Sequence, residues 1–564
     1  MLSRKSVTII AALASASLLS SAAYAAPADP AELAAEVEAL LDKSFPDDGP
    51  GAAIVVTENG KVIYKGGQGL ADVEAGTPIT PDTVFRFASI TKQFASATML
   101  QLIQEGKLGL DDPLSKFFPD YPEPGASATV RQLLNHTSGI QSYTGIVGWM
   151  IEENTSKAFT TDELIDEFKD TEVNFKPGEA FRYNNSGYIL VGAIIEKVTG
   201  KSWDQVVVDQ ISKPLGLSTI AGFGDEATVP KMAKGYTSGE DGSIELAQKV
   251  HMSVPGAAGA LRGSVLDLAG WADALHGEKV LSQSYYEAMI APTALPGGES
   301  EDYGFGIAPS EIRGHKAIGH SGGIYGFSTD STYLPEEGIF VAVFLNSDSS
   351  DIGAGLLMRK VAALAIDEAY PEFTAVTPDM EALAPLFGTY AVGDNGTRKF
   401  YARDGKLYTQ RTGGGESEIF AAGDDLFFYG PDSLTWFKMA TGEDGSPTME
   451  MHQNGAEEIE LATYAGPIVE DEAADVSRAI LESYVGTYTT MAGPMIITLG
   501  DDNVLSAKLG GQPVIPLAAM SDTKFKVTVV DATVTFTSEG GAVTGLVIEQ
   551  GGQEIPGERV AESD

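Results

Sequence analysis

The chain has 564 residues, a formal net charge of −42 and no cysteine. This length exceeds what one hydrophobic core supports, so more than one domain is expected. A chain this acidic repels phosphate backbones, which argues against a nucleic-acid partner. Without cysteine, neither a disulfide nor a lipid-modified cysteine can form.

The amino terminus has the features of an export signal. Arg4 and Lys5 form a basic start, residues 7–19 are apolar or small, and Ala-Tyr-Ala at 23–25 offers a cleavage site between small residues. The alternative, a membrane anchor, needs a longer apolar segment. We therefore expect a signal peptide over residues 1–25, a periplasmic or secreted mature protein, and no later membrane-spanning segment.

The order of the elements predicts an α+β domain over residues 26–370. Strands come first, a mainly helical region follows from about 85 to 281, and strands then return. We expect an antiparallel five-stranded sheet flanked by helices, plus a helical subdomain, with the first hairpin joining the later strands. The predicted strands are 52–57, 62–64, 303–308, 324–333 and 338–345, and helices near 30–43 and 351–367 are expected to cover one face.

A repeat follows this domain. Phe-Gly-Thr-Tyr at 387–390 recurs as Val-Gly-Thr-Tyr at 485–488, and each copy opens a run of short strands separated by glycine-containing turns. An acidic stretch at 470–475 separates the copies. The pattern predicts two small all-β barrels, at 383–465 and 478–562. One large β-domain with a fortuitous match is the alternative.

A Ser-x-x-Lys motif begins a predicted helix. Ser89 lies near the first turn, where unpaired N–H groups and the helix dipole stabilise negative charge. Lys92 follows three residues later and so faces the same side. A buried lysine loses its charge readily and can take the proton of a serine hydroxyl. Alternatively, Ser89 merely caps the helix. The same spacing recurs at Ser521 and Lys524, so one motif alone is weak evidence.

Two further segments supply the other groups that such chemistry needs. Tyr183 and Asn185 lie on a loop at a helix entrance, where a phenol can act as a phenolate or a proton relay. The amide of Asn185 can hydrogen-bond a substrate or orient Lys92. The alternative is a core tyrosine beside a helix cap.

The third segment is His-Ser-Gly-Gly at 320–323, which precedes an apolar strand predicted to begin at Ile324. Gly322 and Gly323 would let a substrate backbone lie close to the protein. The backbone N–H groups of Ser89 and Gly323 could then form an oxyanion hole. A glycine-rich turn with an exposed His320 is the alternative.

Two rival chemistries fit the sequence less well. Gly-His-Ser-Gly-Gly at 319–323 matches the nucleophile elbow Gly-x-Ser-x-Gly, but that elbow requires a helix after the serine, and a strand is predicted here. Metal-dependent hydrolysis is disfavoured because the histidines are scattered and His-Glu-x-x-His does not occur. We therefore expect neither a metal nor a cofactor.

With these motifs the chain resembles the serine β-lactamase and penicillin-binding-protein superfamily, over about residues 30–367. The branch that it resembles contains class C β-lactamases, D-Ala-D-Ala carboxypeptidases, D-aminopeptidases and related esterases. Further matching segments are Leu-Asp-Asp-Pro at 110–113, Leu-Leu-Asn-His-Thr-Ser-Gly at 133–139 and Gly-Ala-Leu-Arg-Gly-Ser at 259–264.

The resemblance implies a role for each motif residue. Ser89 would be the acylated nucleophile, Lys92 and Tyr183 would transfer protons, and Asn185 would bind substrate. His320 would lie near the scissile bond and tune Tyr183, and Ser321 would contact the substrate.

His320 stands where β-lactamases usually have lysine. A permanent positive charge for a substrate carboxylate is thereby lost, and a group that titrates near neutral pH is expected in its place. Efficient β-lactam hydrolysis is thus not expected.

The barrels resemble those appended to D-aminopeptidases, where such domains crowd the mouth of the site and restrict it to small substrates. We therefore expect a serine hydrolase that forms an acyl-enzyme and acts on a small-molecule or short-peptide substrate, most simply small D-amino-acid amides or peptides. A carboxylesterase with the same site and a penicillin-binding protein of low turnover are the alternatives.

Overall fold

The computed structural model describes residues 28–560 apart from short gaps at 223, 225, 240, 394–395, 432, 443–444, 469–473, 475, 491–492, 501, 511 and 551–552. The expected signal peptide and nearly all of the acidic stretch at 470–475 lie outside the described residues. Within the described part, no helix has both the length and the apolar character needed to cross a bilayer.

One antiparallel sheet forms the centre of the first domain. Its strands are β1 (Ala52–Glu58), β2 (Lys61–Gln68), β3 (Ala308–Ile312), β4 (His315–Ile324), β5 (Phe327–Leu334) and β6 (Ile339–Leu345). They pair in the order β3-β4-β5-β6-β1-β2. Strand β1 pairs with β6, from Ala52 opposite Leu345 to Glu58 opposite Ile339, so the first hairpin joins the later strands as predicted.

The α+β class is confirmed, but the sheet has six strands and not five. The missed strand is β4, whose glycines have low strand propensity and suggested a turn before Ile324. Pairing with β3 on one side and β5 on the other holds this segment extended. Residues 303–307, predicted as strand, are irregular. Ser321 therefore lies within a strand that leads into another strand, which rules out a nucleophile elbow.

The sheet is buried on both faces because its central strands carry apolar side chains at successive positions. Ile54 and Val56 of β1 pack in one core with the helices at 30–44 and 354–365, as predicted. Ala53 and Val55 face the second core, which the helical subdomain completes. The longer helices are α1 (Pro30–Ser44), α2 (Thr91–Gln104), α3 (Asn185–Thr199), α4 (Val265–His276) and α5 (Ala354–Ala365).

Shorter elements complete the helical subdomain. The shorter helices are Val130–Leu134, Glu152–Thr155, Thr161–Asp166, Trp203–Val207, Lys213–Leu215, Gly256–Gly259 and Gln283–Ile290. Short paired strands join Leu70–Asp72 to Thr77–Pro78, Phe85–Arg86 to Arg262–Gly263, Tyr236–Ser238 to Ile244–Leu246, and Thr293–Ala294 to Ser300–Glu301.

Two closed eight-stranded barrels follow, as the repeat predicts. The first consists of Gly388–Ala391, Thr397–Arg403, Lys406–Arg411, Glu416–Ala421, Leu426–Phe428, Trp436–Thr441, Pro447–His452 and Ile459–Gly466. The second consists of Gly486–Thr490, Gly493–Leu499, Leu505–Leu509, Ile515–Ala519, Lys524–Val527, Ala532–Glu539, Ala542–Gln550 and Gln553–Arg559. Short helices, Met380–Leu383 and Arg478–Tyr484, precede the barrels.

The repeated Gly-Thr-Tyr has a structural function. Tyr390 and Tyr488 are fully buried in their barrels. Each hydroxyl donates to a backbone carbonyl four residues earlier, of Leu386 and Tyr484 respectively. A buried tyrosine hydroxyl needs such a partner. The repeat therefore marks where the first strand of each barrel is bonded to the helical segment before it.

Candidate active site

Ser89 lies on a tight turn that the protein holds in an unfavourable conformation. A single 3₁₀ turn, Ala88–Ile90, leads directly into α2. The φ angle of Ala88 is +48°, a left-handed conformation that costs a residue with a β-carbon about 1–2 kcal/mol. Backbone hydrogen bonding of Phe87 N–H to Leu261 O, at 2.8 Å, fixes the entry to this turn. Strain of this kind is typical of functional sites.

Lys92 is fully buried beside Ser89. Its Nζ lies 3.0 Å from Ser89 Oγ, 2.9 Å from Asn185 Oδ1 and 2.8 Å from the carbonyl oxygen of Ala258. Burial lowers the pKa of this amine well below its usual value. A neutral amine has two protons, which satisfy the Asn185 and Ala258 oxygens, so its lone pair is left for the Ser89 hydroxyl. This geometry supports the predicted role of Lys92 in proton transfer.

Asn185 is the first residue of α3 and connects two parts of the site. Its neighbour Asn184 caps the helix by accepting from Gly187 N–H at 3.0 Å. The Asn185 Nδ2 group donates to Thr144 Oγ1 at 3.1 Å. This bond fixes the orientation of the amide, so that its oxygen accepts from Lys92. Of the two roles considered for Asn185, orientation of the lysine is therefore seen directly.

Tyr183 lies over the lysine. Its ring centroid is 4.8 Å from Lys92 Nζ. Although 39% of the residue is exposed, desolvation of the hydroxyl raises its pKa, and the nearby Ser89 side chain only partly offsets this effect. The phenol is therefore protonated, which favours the proton-relay role over the phenolate role.

His320 lies on β4 with both ring nitrogens occupied. Its Nε2 is 2.8 Å from the Tyr303 hydroxyl, and its Nδ1 is 2.6 Å from the carbonyl oxygen of Ser321. A carbonyl only accepts, so Nδ1 carries the proton and Nε2 accepts from Tyr303. The Tyr183 and His320 ring centroids are 6.1 Å apart. Among the described residues the nitrogens of His320 bond Tyr303 and Ser321 and not Tyr183, so the tuning of Tyr183 by His320 remains a prediction.

The expectation that His320 titrates near neutral pH is wrong. Burial lowers its pKa to about 4, and Lys92 adds to this effect whenever its amine is protonated. The buried ring therefore stays neutral at physiological pH. Position 320 thus supplies neither the permanent positive charge of a lysine nor a charge that appears near neutral pH.

A histidine NMR titration checks this assignment. We expect the ring resonances of His320 to stay constant between pH 5.5 and 8. His315 is the internal control, because its contacts with Glu337 and Glu368 raise its pKa, and its resonances should shift within or above this range. His320→Asn identifies the resonance. A midpoint for His320 near 6.5 would contradict the neutral assignment.

Gly322 lets the strand pack directly on the turn that carries Ser89. A β-carbon at this position would overlap the carbonyl oxygen of Phe87. The hydroxyl of Thr329, its register partner on β5, donates to that same carbonyl at 3.0 Å. The space beside Gly322 is thus occupied by the protein, whereas a substrate backbone had been expected there. A β-carbon at Gly323 would have no atom within 4 Å, and Gly323 borders a cavity beside Ser89.

Gly322→Ala should therefore separate β4 from the Ser89 turn. We expect kcat/KM to fall by about 10² or more, because displacements near 1 Å cost this much at a reacting centre. Gly353→Ala is the matched control, since a β-carbon there meets no atom within 4 Å. Circular dichroism and thermal melting should show both variants folded. Full activity of Gly322→Ala would contradict the packing argument.

Ser321 lies on the other face of β4. It is exposed and pairs in register with Asp330, whereas His320 pairs with Ser331. Neighbouring residues of a strand point to opposite faces, so the Ser321 side chain diverges from His320. Its contact with substrate remains a prediction.

A cavity of about 420 Å³ opens beside the nucleophile. Ser89, Asn185 and Gly323 all border it, whereas Tyr183 and His320 lie outside its lining. The N–H groups of Ser89 and Gly323 remain the predicted oxyanion hole.

Sequence reasoning missed three supporting residues. His136 lies buried with its ring centroid 4.3 Å from that of Tyr183 and 4.7 Å from that of Tyr303, and its Nδ1 accepts from Asn184 N–H at 3.1 Å. Tyr188 bonds Leu134 O at 2.8 Å and lies 5.4 Å from Lys92 Nζ. The polar residues at 135–139, next to an apolar segment, could have indicated a site role for His136. No sequence pattern indicated one for Tyr303.

Together these groups can carry out acyl transfer. Lys92 would take the proton of Ser89 as the hydroxyl oxygen attacks a carbonyl, Tyr183 would give its own proton to the leaving group, and the proton on Lys92 would then restore Tyr183. When water attacks the acyl-enzyme, its proton would pass to the same pair of groups, and a proton would return from them to Ser89.

Comparisons with known proteins agree with this chemistry. A family model described as Beta-lactamase matches residues 38–364. A D-aminopeptidase of Gluconobacter oxydans is 28% identical over 374 residues, which cover 65% of this chain and 67% of that protein. Penicillin-binding protein 4* of Bacillus subtilis is 24% identical over 431 residues, covering 73% of this chain and 94% of that protein.

Among solved structures, the D-amino acid amidase of Ochrobactrum anthropi SV3 complexed with D-phenylalanine is similar. It is 26% identical with a TM-score of 0.51, and the match covers 60% of this chain and 98% of that chain. The family model spans more than half of the chain and includes the nucleophile, the lysine, the tyrosine and the histidine. The protein therefore belongs to the β-lactamase family and is a serine hydrolase.

Proposed function

We propose that this protein is a secreted hydrolase that cleaves small D-amino-acid amides or short peptides through an acyl-enzyme on Ser89. The contact that carries the proposal is the 3.0 Å distance between Ser89 Oγ and the Nζ of buried Lys92. The similarity to a D-aminopeptidase and a D-amino acid amidase supports the substrate class. Export is supported by the sequence of residues 1–25.

The neutral His320 also bears on the substrate. A β-lactam or a peptide with a free carboxylate beside the scissile bond gains from a fixed positive charge in the site. His320 supplies none, because its pKa is about 4. Amides without that carboxylate have no interaction to lose when the positive charge is absent, so we expect the site to favour them.

A limit on substrate length is supported by the position of the second barrel. A β-carbon at Gly493 would lie 3.8 Å from Val147 Cγ2, so this barrel lies next to the loop that continues into the cavity lining at Thr144 and Met150. Long peptides would have to pass this contact. We infer a decline in kcat/KM as the chain on the substrate lengthens.

The test compares substrates on the purified full-length protein. D-Alanine p-nitroanilide should be cleaved faster than its L-enantiomer, with benzylpenicillin a poor substrate. p-Nitrophenyl butyrate tests the carboxylesterase alternative: cleavage of the ester without any D-anilide would overturn the amidase proposal. A long-lived adduct on Ser89 by intact mass, with negligible turnover of every substrate, would instead indicate a penicillin-binding protein. Mass analysis of the protein from cell fractions tests cleavage of residues 1–25.

A further inference from the structure

The two sides of Ser89 can be assigned to the two halves of a substrate. The proposed function gives Tyr183 the return of a proton to the leaving group, and Tyr183 is not among the residues that line the cavity. Ser89 itself borders the cavity, next to Asn185 and Gly323. The leaving group would then lie beside Tyr183, and the half that stays on the serine would occupy the cavity. The cavity wall would therefore select the acyl group.

The cavity wall is largely apolar. Its volume of about 420 Å³ is within the range of small-ligand sites, and such walls favour a bulky aliphatic or aromatic group. Its larger apolar lining residues include Met150, Val250, Val254, Ile324, Tyr325 and Phe327.

One charged group interrupts this wall. Asp348 is the only residue with a carboxylate among the described residues that line the cavity, and it lies at the exposed rim just after β6. Its Oδ2 accepts from Gly326 N–H at 2.6 Å, which ties it to the turn between β4 and β5. No lysine, arginine or histidine of the described chain pairs with it within 4 Å. The charge is held in place, and Oδ1 is left for a ligand.

We propose that Asp348 recognises a cationic amine on the acyl half of the substrate, while the apolar wall holds a bulky side chain. This inference rests on the proposed function and names the residue and the chemistry that select the acyl group. An ammonium group at the rim would gain a charge-assisted hydrogen bond to Oδ1. An N-acylated substrate has no such charge, and an acidic acyl group would be repelled.

The experiment uses the full chain and two substrate pairs. D-Phenylalanine p-nitroanilide is compared with its N-acetyl form, and the methyl esters of the same two acids form the second pair. We expect the wild type to prefer the free amine in both pairs. Asp348→Asn keeps an oxygen for Gly326 N–H but loses the charge, so the preference should fall roughly tenfold or more, mainly through KM.

Asp351→Asn is the matched control, because Asp351 is exposed three residues later and does not line the cavity. Its preference should equal that of the wild type. An unchanged preference in Asp348→Asn would overturn the inference while leaving the hydrolase intact. If the wild type cleaves only the esters, amide hydrolysis is refuted. The ester pair then still shows whether Asp348 recognises the free amine.

Discussion

Ser89→Ala is expected to lower kcat on D-alanine p-nitroanilide by about 10⁴ or more, because removal of a nucleophile in this kind of site abolishes the covalent route. The fold should survive, since the change removes one partly exposed hydroxyl at a turn whose backbone is held by Phe87 and Leu261. Initial rates and thermal melting measure the two effects. Intact mass should show acylation of the wild type and none of the variant.

Ser521→Ala is the matched control for this substitution. Ser521 has the same spacing to Lys524 as Ser89 has to Lys92, but its hydroxyl oxygen accepts from Lys524 N–H at 3.0 Å within a turn of the second barrel. Its variant should keep wild-type activity. Substantial turnover by Ser89→Ala, or equal loss in both variants, would remove Ser89 as the nucleophile.

Lys92→Met is expected to reduce kcat by about 10³ or more with little change in shape, because the buried apolar stem is kept and only the base is lost. Lys92→Arg tests whether the site needs a proton acceptor or only a positive charge. The guanidinium group keeps its charge but does not accept a proton, so an inactive Lys92→Arg variant would show that Lys92 must accept one. Activity retained by Lys92→Arg would contradict the assignment. Circular dichroism confirms that each variant is folded.

The same lysine should be visible in the pH dependence of stability. Burial lowers its pKa in the folded state, so between that pKa and about 10.4 the unfolded chain binds more protons at this position. The free energy of unfolding then rises with pH through this range. Urea unfolding at pH 7 and pH 9.5 should show the wild type gaining stability relative to Lys92→Met. An equal difference at both pH values would mean that Lys92 is charged when buried.

Much of the fold could be predicted from local patterns. The order of strands, helices and strands predicted the α+β class, and apolar runs predicted which helices cover the sheet. The recurring Gly-Thr-Tyr predicted two barrels because each copy performs the same local task, burying a tyrosine whose hydroxyl reaches back four residues.

The prediction failed at β4, where local preference and final structure disagree. Glycines have little tendency to form strands, and only pairing with β3 and β5 fixes that segment. The same error concealed the function of Gly322, which is contact with Phe87 across a large distance in sequence. The ionisation of His320 was also beyond the sequence, since it depends on burial against Tyr303.

The spacing of Ser89 and Lys92 and the order of the three motifs are enough to identify the chemical groups of the site. How those groups behave depends on the packing around them. Ser521 and Lys524 have identical spacing, yet Lys524 pairs with Glu549 at 2.7 Å and is 38% exposed, whereas Lys92 is fully buried against Asn185 and Ala258. Burial changes the energy of a charge, and burial is produced by distant segments that pack together, so local spacing does not contain it.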